Sequence, residues 1–289
     1  MIGPQAAMLA DGKRLHLNHG PIDLIIEAFG DYAEVEAAYS QAKVRFATIL
    51  TELVEELAAL RAPSTTIARP FRGRTAQRME AAVSRLASGK FITPMAAVAG
   101  SVADEMMAAM LRGRRLRRAY VNNGGDNALF LAPGEEMKAA IAGTGHSFAD
   151  RVTIRFDDPV RGIATSGWRG RSHSLGIADA VTVLAEDAAL ADAAATLIAN
   201  AVDLPEHPAI ERTPANVLAP DSDLGARLVT TGVGALDDRE IAQALERGLL
   251  VAEEFVARGL IVSAALFLKG QSRLAGALAN ETRRSLVHA

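Results

Sequence analysis

"YVNNGGDNALF" (residues 120–130) sets two short apolar runs on either side of two asparagines, two glycines and an aspartate. Tyr, Val, Leu and Phe suit a half-buried strand, and glycines supply the positive φ that a tight return of the chain requires. The stretch therefore predicts strand, turn, strand. Working outward, "KRLHLNHGPIDLIIEAFG" (13–30) reads as two more strands around "NHGP". Further strand-like pieces fall at 119–122, 127–132, 151–156, 162–166, 179–185 and 260–268. Helical spacing marks 31–61, with Asp31 as its cap and Glu34 three residues on, then 75–88, 93–113 with Pro94 in the first turn, 188–202 and 238–257. Residues 203–225, rich in proline and aspartate, read as a long loop. The elements arrive in clusters joined by hairpins, without regular βαβ alternation. This predicts an α+β fold, with mixed or antiparallel sheets layered with helices, in a single domain over 1–289.

Composition narrows the function classes. The chain has 289 residues and is 49% hydrophobic, enough for a substantial core, and its formal net charge is −3. Cysteine is absent, which excludes disulfides, thiolate metal sites, iron–sulfur clusters and a cysteine nucleophile. The start, "MIGPQAAMLADGKRL", lacks a basic segment followed by an apolar run, so no signal peptide is expected. The most apolar run, "GLIVSAALFL", is about half the length of a membrane-spanning helix. A cytoplasmic location with no membrane partner follows as the expectation. "LRGRRLRRAY" (111–120) holds five arginines without interleaved aromatics, and no nucleic-acid partner is expected. No GxSxG elbow is present for serine hydrolase chemistry.

Three stretches could carry chemistry. In "NNGGD", Gly124 and Gly125 can present backbone amides to an anion, while Asn122 and Asp126 offer donors and acceptors to a ligand; the plain alternative is a hairpin turn. In "ATSGWRGRSHS" (164–174), Arg169 and Arg171 can fork onto phosphate, Trp168 can stack on a flat ring, and His173 can shuttle a proton. A solvated basic loop is the alternative there. In "ALADAAATLIAN", Asp192 and Thr196 stand four apart on one helix face and suit a hard cation such as Mg²⁺, unless they serve as a cap or an interhelical hydrogen bond.

The order of these motifs, "AAVAGSVAD", "VNNGGD", "IATSGWRGRSH" and "VTVLAEDAALADAAAT", resembles the ApbE family, the FAD:protein FMN transferases. "LHLNHGPIDLIIEA" and "GRSHSLGIADAVTVLA" look closer still to a UPF-type cytoplasmic branch of that superfamily. The resemblance implies a FAD and Mg²⁺ site, with Asp192 and Thr196 as metal ligands together with a backbone carbonyl of the small-residue helix. It also implies that Asn122, Gly124, Gly125 and Asp126 line the flavin nucleotide, that Thr165, Ser166 and Gly167 form the "TSG" contact, and that His173 assists phosphoryl transfer. The implied reaction is attack of an acceptor protein's threonine hydroxyl on the FMN phosphorus, with AMP leaving. Two departures point elsewhere: "AVAGSVAD" lacks the family's lysine, and the loop after "TSG" is short. They favour a non-catalytic accessory or binding protein of a metabolic pathway, such as sulfur or one-carbon metabolism, as the alternative. A metal-dependent phosphohydrolase would use the same Asp192 and Thr196 but would have no need of Trp168. The alanine-rich helix surface also tolerates a homo-oligomer.

Overall fold

The computed structural model describes residues 3–140, 151–170 and 172–277. Strands β1 (Gln5–Met8), β2 (Leu15–His19) and β3 (Ile22–Gly30) come first, then helices α1 (Tyr32–Glu55), α2 (Leu57–Leu60) and α3 (Arg74–Leu86). A 3-10 turn at Pro94–Ala97 leads into α4 (Val98–Leu111). Strands β4 (Leu116–Asn123), β5 (Asp126–Leu131), β6 (Glu136–Ala140), β7 (Arg151–Arg155), β8 (Gly162–Ser166) and β9 (Ala180–Ala185) follow. The remainder is α5 (Ala188–Ala201), β10 (Ile210–Pro214), α6 (Ala215–Leu218), β11 (Leu228–Val233), α7 (Asp238–Ala257), β12 (Ser263–Leu268) and β13 (Gln271–Gly276). This is an α+β architecture with antiparallel pairing, as the hairpin pattern predicts.

The described residues group into two compact units, each assembled from three separate stretches of chain. The first takes those of Met1–Ala139, Thr153–Ala164 and Glu186–Asp192. Its strands lie in the order β1, β2, β3, β4, β5, with the start of β8 against β5. β2 and β3 bury alternate residues, so Leu15, Leu17, Leu24 and Ile26 enter the core while His16, Asn18, Asp23 and Ile25 keep partial exposure. Helices α1 and α4 supply the opposing layer through Phe46, Ile49, Met106 and Met110, all at most 1% exposed. Each such side chain contributes about 1.5–3 kcal/mol when withdrawn from water.

The second unit takes the described residues of Ala140–Val152, Thr165–Ala185 and Ala193–Ala289. β12 pairs antiparallel with both β9 and β13, α7 packs on β12 and β13, and β10 and β11 form a separate ribbon. β9 and β12 are buried along their whole length, so neither shows the alternation that marks a half-buried strand. α7 begins with a full capping box, in which Asp237 accepts from the Glu240 amide while Glu240 accepts from the Asp237 amide.

Several expectations need correction. Asp31 stands at the N-cap of α1, but its side chain makes no cap bond; Glu34 accepts instead from the Arg115 amide at 2.8 Å. The helix expected over 31–61 breaks at Glu56, whose carboxylate accepts from the Arg72 and Gly73 amides. The loop expected over 203–225 contains β10 and α6. β10 is only "IERTP", and partnership with β11, remote in sequence, makes it a strand. Among the described residues no helix is long and apolar enough to cross a membrane.

Candidate functional site

In the first unit, "NNGGD" folds as a hairpin. Asn123 pairs with Asp126 across a turn of Gly124 and Gly125, whose φ values are +65° and +117°. Both glycines are exposed at its tip. Strand alternation then separates the two asparagines. Asn122 keeps partial exposure and donates to the Asn127 side chain at 2.9 Å, whereas Asn123 is buried and donates to the Ala99 carbonyl of α4 at 3.0 Å. Asp126 is buried, directly opposite Asn123.

The start of α4 brings Asp192 to the same place. The Gly100 amide donates to Asp192 Oδ2 at 3.0 Å. Burial, then the charge of Asp126, push the Asp192 carboxyl well above the ordinary carboxylate range; the Gly100 and Ala99 amides pull the other way, and Asp104 adds to the rise. Asp104, from α4, accepts in turn from the Ala188 and Ala189 amides at 3.1 and 2.8 Å, and Asp187 accepts from the Leu190 amide at 2.7 Å. Burial and the Asp187 charge raise Asp104 to about 7. The first turn of α5 is thus capped by Asp104 and Asp187. Close approach makes this possible: a Cβ on Gly100 would sit 2.1 Å from the Ala188 carbonyl oxygen, and one on Gly162 would sit 2.0 Å from that of Asp187.

In the second unit, "TSG" and the loop after it are organised by residues further along. Thr165 and Thr182 share a hydroxyl hydrogen bond of 2.9 Å, and a Cβ on Gly167 would meet the Asp179 carbonyl oxygen at 2.5 Å. Ser166 is partly exposed. Asp179 gathers the loop: it accepts from Trp168 Nε1 at 3.3 Å, pairs with Arg169 Nε at 2.9 Å, and takes the Lys269 amide at 2.6 Å. The Arg169 guanidinium lies 5.2 Å from the Trp168 ring centre. Arg169 is therefore already engaged by a carboxylate and an indole, not held open. His173 is exposed, and Arg171 lies outside the described residues. Thr196 is one turn beyond Asp192 along α5 and partly buried.

A family model described as AbpE bacteria matches residues 6–274. The chain belongs to that family. Its AbpE-type fold is also that of Pseudomonas stutzeri flavinyl transferase ApbE in its apo form: the TM-score is 0.52 at 12% identity, covering 97% of this chain and 98% of that one. At this identity the likeness is one of fold. Curated relatives include a UPF0280 protein of Methanosarcina acetivorans, 36% identical over 118 residues (39% of this chain, 44% of the relative). Another, from Methanococcoides burtonii, is 39% identical over 114 residues (39% and 47%). The chain spans somewhat under half the length of these relatives. The recognised motifs accordingly mark an ApbE-like branch that includes UPF0280 proteins.

The AbpE-family geometry can be tested against the groups that its fold implies. Asp192, partly exposed, and Asp126, buried, are oxygen ligands that repel one another, a situation that a hard divalent cation relieves. The Ala99 carbonyl, in the first turn of α4, accepts from the Asn123 side chain beside the helix's own ladder. Among the described residues no three His, Asp or Glu side chains form a self-sufficient metal site. A cation here would therefore draw on carbonyl, hydroxyl, water and phosphate oxygens as well. The donor set fits. Asp104, Asn123 and Asp179 are the residues that motif spacing alone did not single out. Asp104 closes the "AAVAGSVAD" stretch, but its target amides lie 84 and 85 residues away.

Proposed function

We propose that this chain is an ApbE-like flavin-nucleotide protein that binds FAD with Mg²⁺, and that its chemistry is transfer of FMN from FAD to a hydroxyl of an acceptor protein. The observation that carries this reading is the Asp192 carboxylate held by the Gly100 amide at the head of α4, beside the glycine hairpin that ends in Asp126, whose charge together with burial raises it. The flavinyl transferase of the same fold and the family match support it. Asp192 and Thr196 would hold the ion with a carbonyl of α4, and the ion would neutralise charge on the pyrophosphate. Asn122, Gly124, Gly125 and Asp126 would line the nucleotide, with the exposed glycine amides open to its phosphates. Thr165, Ser166 and Gly167 would contact the flavin nucleotide. Trp168 would offer a stacking face, its edge held by Asp179, and Arg169 and Arg171 would add positive charge.

His173 would accept the proton of the acceptor hydroxyl as that oxygen bonds to the FMN phosphorus. The phosphorus–oxygen bond to AMP would break, and AMP would depart. The test is a titration with FAD, with and without Mg²⁺, following flavin fluorescence and Trp168 quenching. Saturable binding that requires Mg²⁺ and is lost in Asp192→Ala is expected; equal affinity in that variant would remove Asp192 from the metal site. A second reading, binding without catalysis, is favoured by Ala99, which stands where the family's "AIAKGYAVD" has lysine. FAD binding without AMP release, in the presence of acceptor proteins, would select it.

A further inference from the structure

We infer that the first unit carries a separate anion-binding pocket, rimmed by Arg72, Arg74 and Arg112, that takes a small phosphate- or carboxylate-bearing molecule. The pocket has a volume of about 510 Å³, and Arg45, Glu52, Glu55, Glu56, Gly73 and Glu105 form the rest of its lining. That volume is in the range of small-molecule sites. None of these residues belongs to the flavin-nucleotide reading.

The inner charges are already matched. Arg45 donates through its two terminal nitrogens to the two oxygens of Glu52, at 2.8 and 2.7 Å, and through Nε to Glu105 at 2.9 Å. Arg78 Nε reaches the other Glu105 oxygen at 3.1 Å, so two guanidiniums close on two carboxylates. Glu105 is only 2% exposed. Glu56 is engaged as well, accepting from the Arg72 and Gly73 amides at 2.9 and 2.8 Å.

The rim differs from this interior. Arg72, Arg74 and Arg112 are exposed, and among the described residues their guanidiniums have no ion pair. Glu55, also exposed, and Glu56, whose partners are neutral amides, are the two acidic lining residues outside the ion pairs. Outside the inner cluster the lining thus carries three positive charges against two negative, and a small polyanion can receive the forked N–H donors of the arginines that have no ion pair. Carboxylate and phosphate share this chemistry.

The experiment titrates the full chain by calorimetry with pyrophosphate and, separately, with citrate, at low ionic strength with chelator present to keep the Asp192 region metal-free. Saturable binding is expected, weakened about tenfold by Arg72→Ala and by Arg112→Ala through loss of charge-assisted bonds. Glu56→Gln removes a negative charge from the wall while keeping an oxygen for one amide, and should strengthen binding. Circular dichroism checks that the variants stay folded, as is expected for exposed arginines. Tighter pyrophosphate binding assigns a phosphate ligand, and tighter citrate binding assigns a carboxylate. No saturable binding by either probe, or equal affinity in the arginine variants and the parent, would overturn the site.

Discussion

Asp104 and Asp192 exchange helix caps: Asp104 projects from α4 to the first amides of α5, and Asp192 projects from α5 to an amide in the first turn of α4. Each helix thus begins on a carboxylate carried by the other. Both carboxyls are raised above their ordinary range, because burial and neighbouring carboxylates outweigh the donated amides.

Stability should therefore fall as pH rises. Asp104 titrates near 3.8 when unfolded and at about 7 when folded, so between these values the native state binds more protons than the unfolded chain. The stability that the protonated group allows is fully present below the unfolded pKa and is lost as pH climbs towards 7. A gap of about three pKa units corresponds to about 4 kcal/mol at most. Urea unfolding between pH 4.5 and 8 should show this decline, and Asp104→Asn should flatten it; a stability that climbs with pH across the window would contradict it.

Magnesium should act more strongly towards the alkaline end of that window, because proton and ion compete for the raised Asp192 carboxylate. At a hundredfold excess over its dissociation constant, a ligand of the native state adds about 2.7 kcal/mol. Thermal unfolding at pH 8 should shift upward with Mg²⁺ in the parent and stay put in Asp192→Asn. An equal shift in both proteins would place the ion elsewhere.

Two glycine substitutions should separate packing from backbone strain. Alanine at Gly100 places a methyl group 2.1 Å from the Ala188 carbonyl oxygen, so α4 and α5 must move apart and their caps lengthen. A loss of about 3 kcal/mol or more is expected. At Gly125, φ is +117° and nothing lies within 4 Å of an added Cβ. The cost there is conformational alone, about 1–2 kcal/mol. Urea midpoints that ranked the two variants in the opposite order would refute the tight α4–α5 approach.

Asp179→Ala should release the indole. Trp168 then loses its Nε1 acceptor and Arg169 its carboxylate partner. Since Trp168 is the sole tryptophan, its emission reports the change directly. A shift to longer wavelength and faster iodide quenching are expected; losing the pair with Arg169, 59% exposed, costs little, while leaving the Lys269 amide without its acceptor lowers stability by about 1–2 kcal/mol. An unaltered spectrum would mean that packing alone fixes the ring.

What could be read from the residues was mostly local. The "NNGGD" turn, the strand pair around "NHGP" and Pro94 at a helix start depend on neighbours in sequence, and each lies where its pattern indicates. β13 escaped notice because its turn, Lys269–Gly270, puts a lysine at φ +48°, which is not a recognisable turn signature. β1 escaped because "QAAM" is exposed on both faces and shows no alternation. For the candidate site, residue types were legible but their attachments were not. That Asn123 and not Asn122 turns inward depends on strand register, and that Asp179 holds both Trp168 and Arg169 depends on how the loop folds back. Contacts of that kind have no local pattern.

The first unit is completed by a short piece, Glu186–Asp192, that lies far along the chain from its main body. During synthesis, α4 would leave the ribosome well before the carboxylate that caps it and before the amides that its own Asp104 serves. Until some two thirds of the chain is made, the head of α4 and the half-buried Asp104 carboxylate lack these partners, so the nascent unit has to wait in an incomplete state. A protein cut after residue 140 should on this account be a poor folder, and supplying 186–192 as a separate peptide would restore only what local concentration allows.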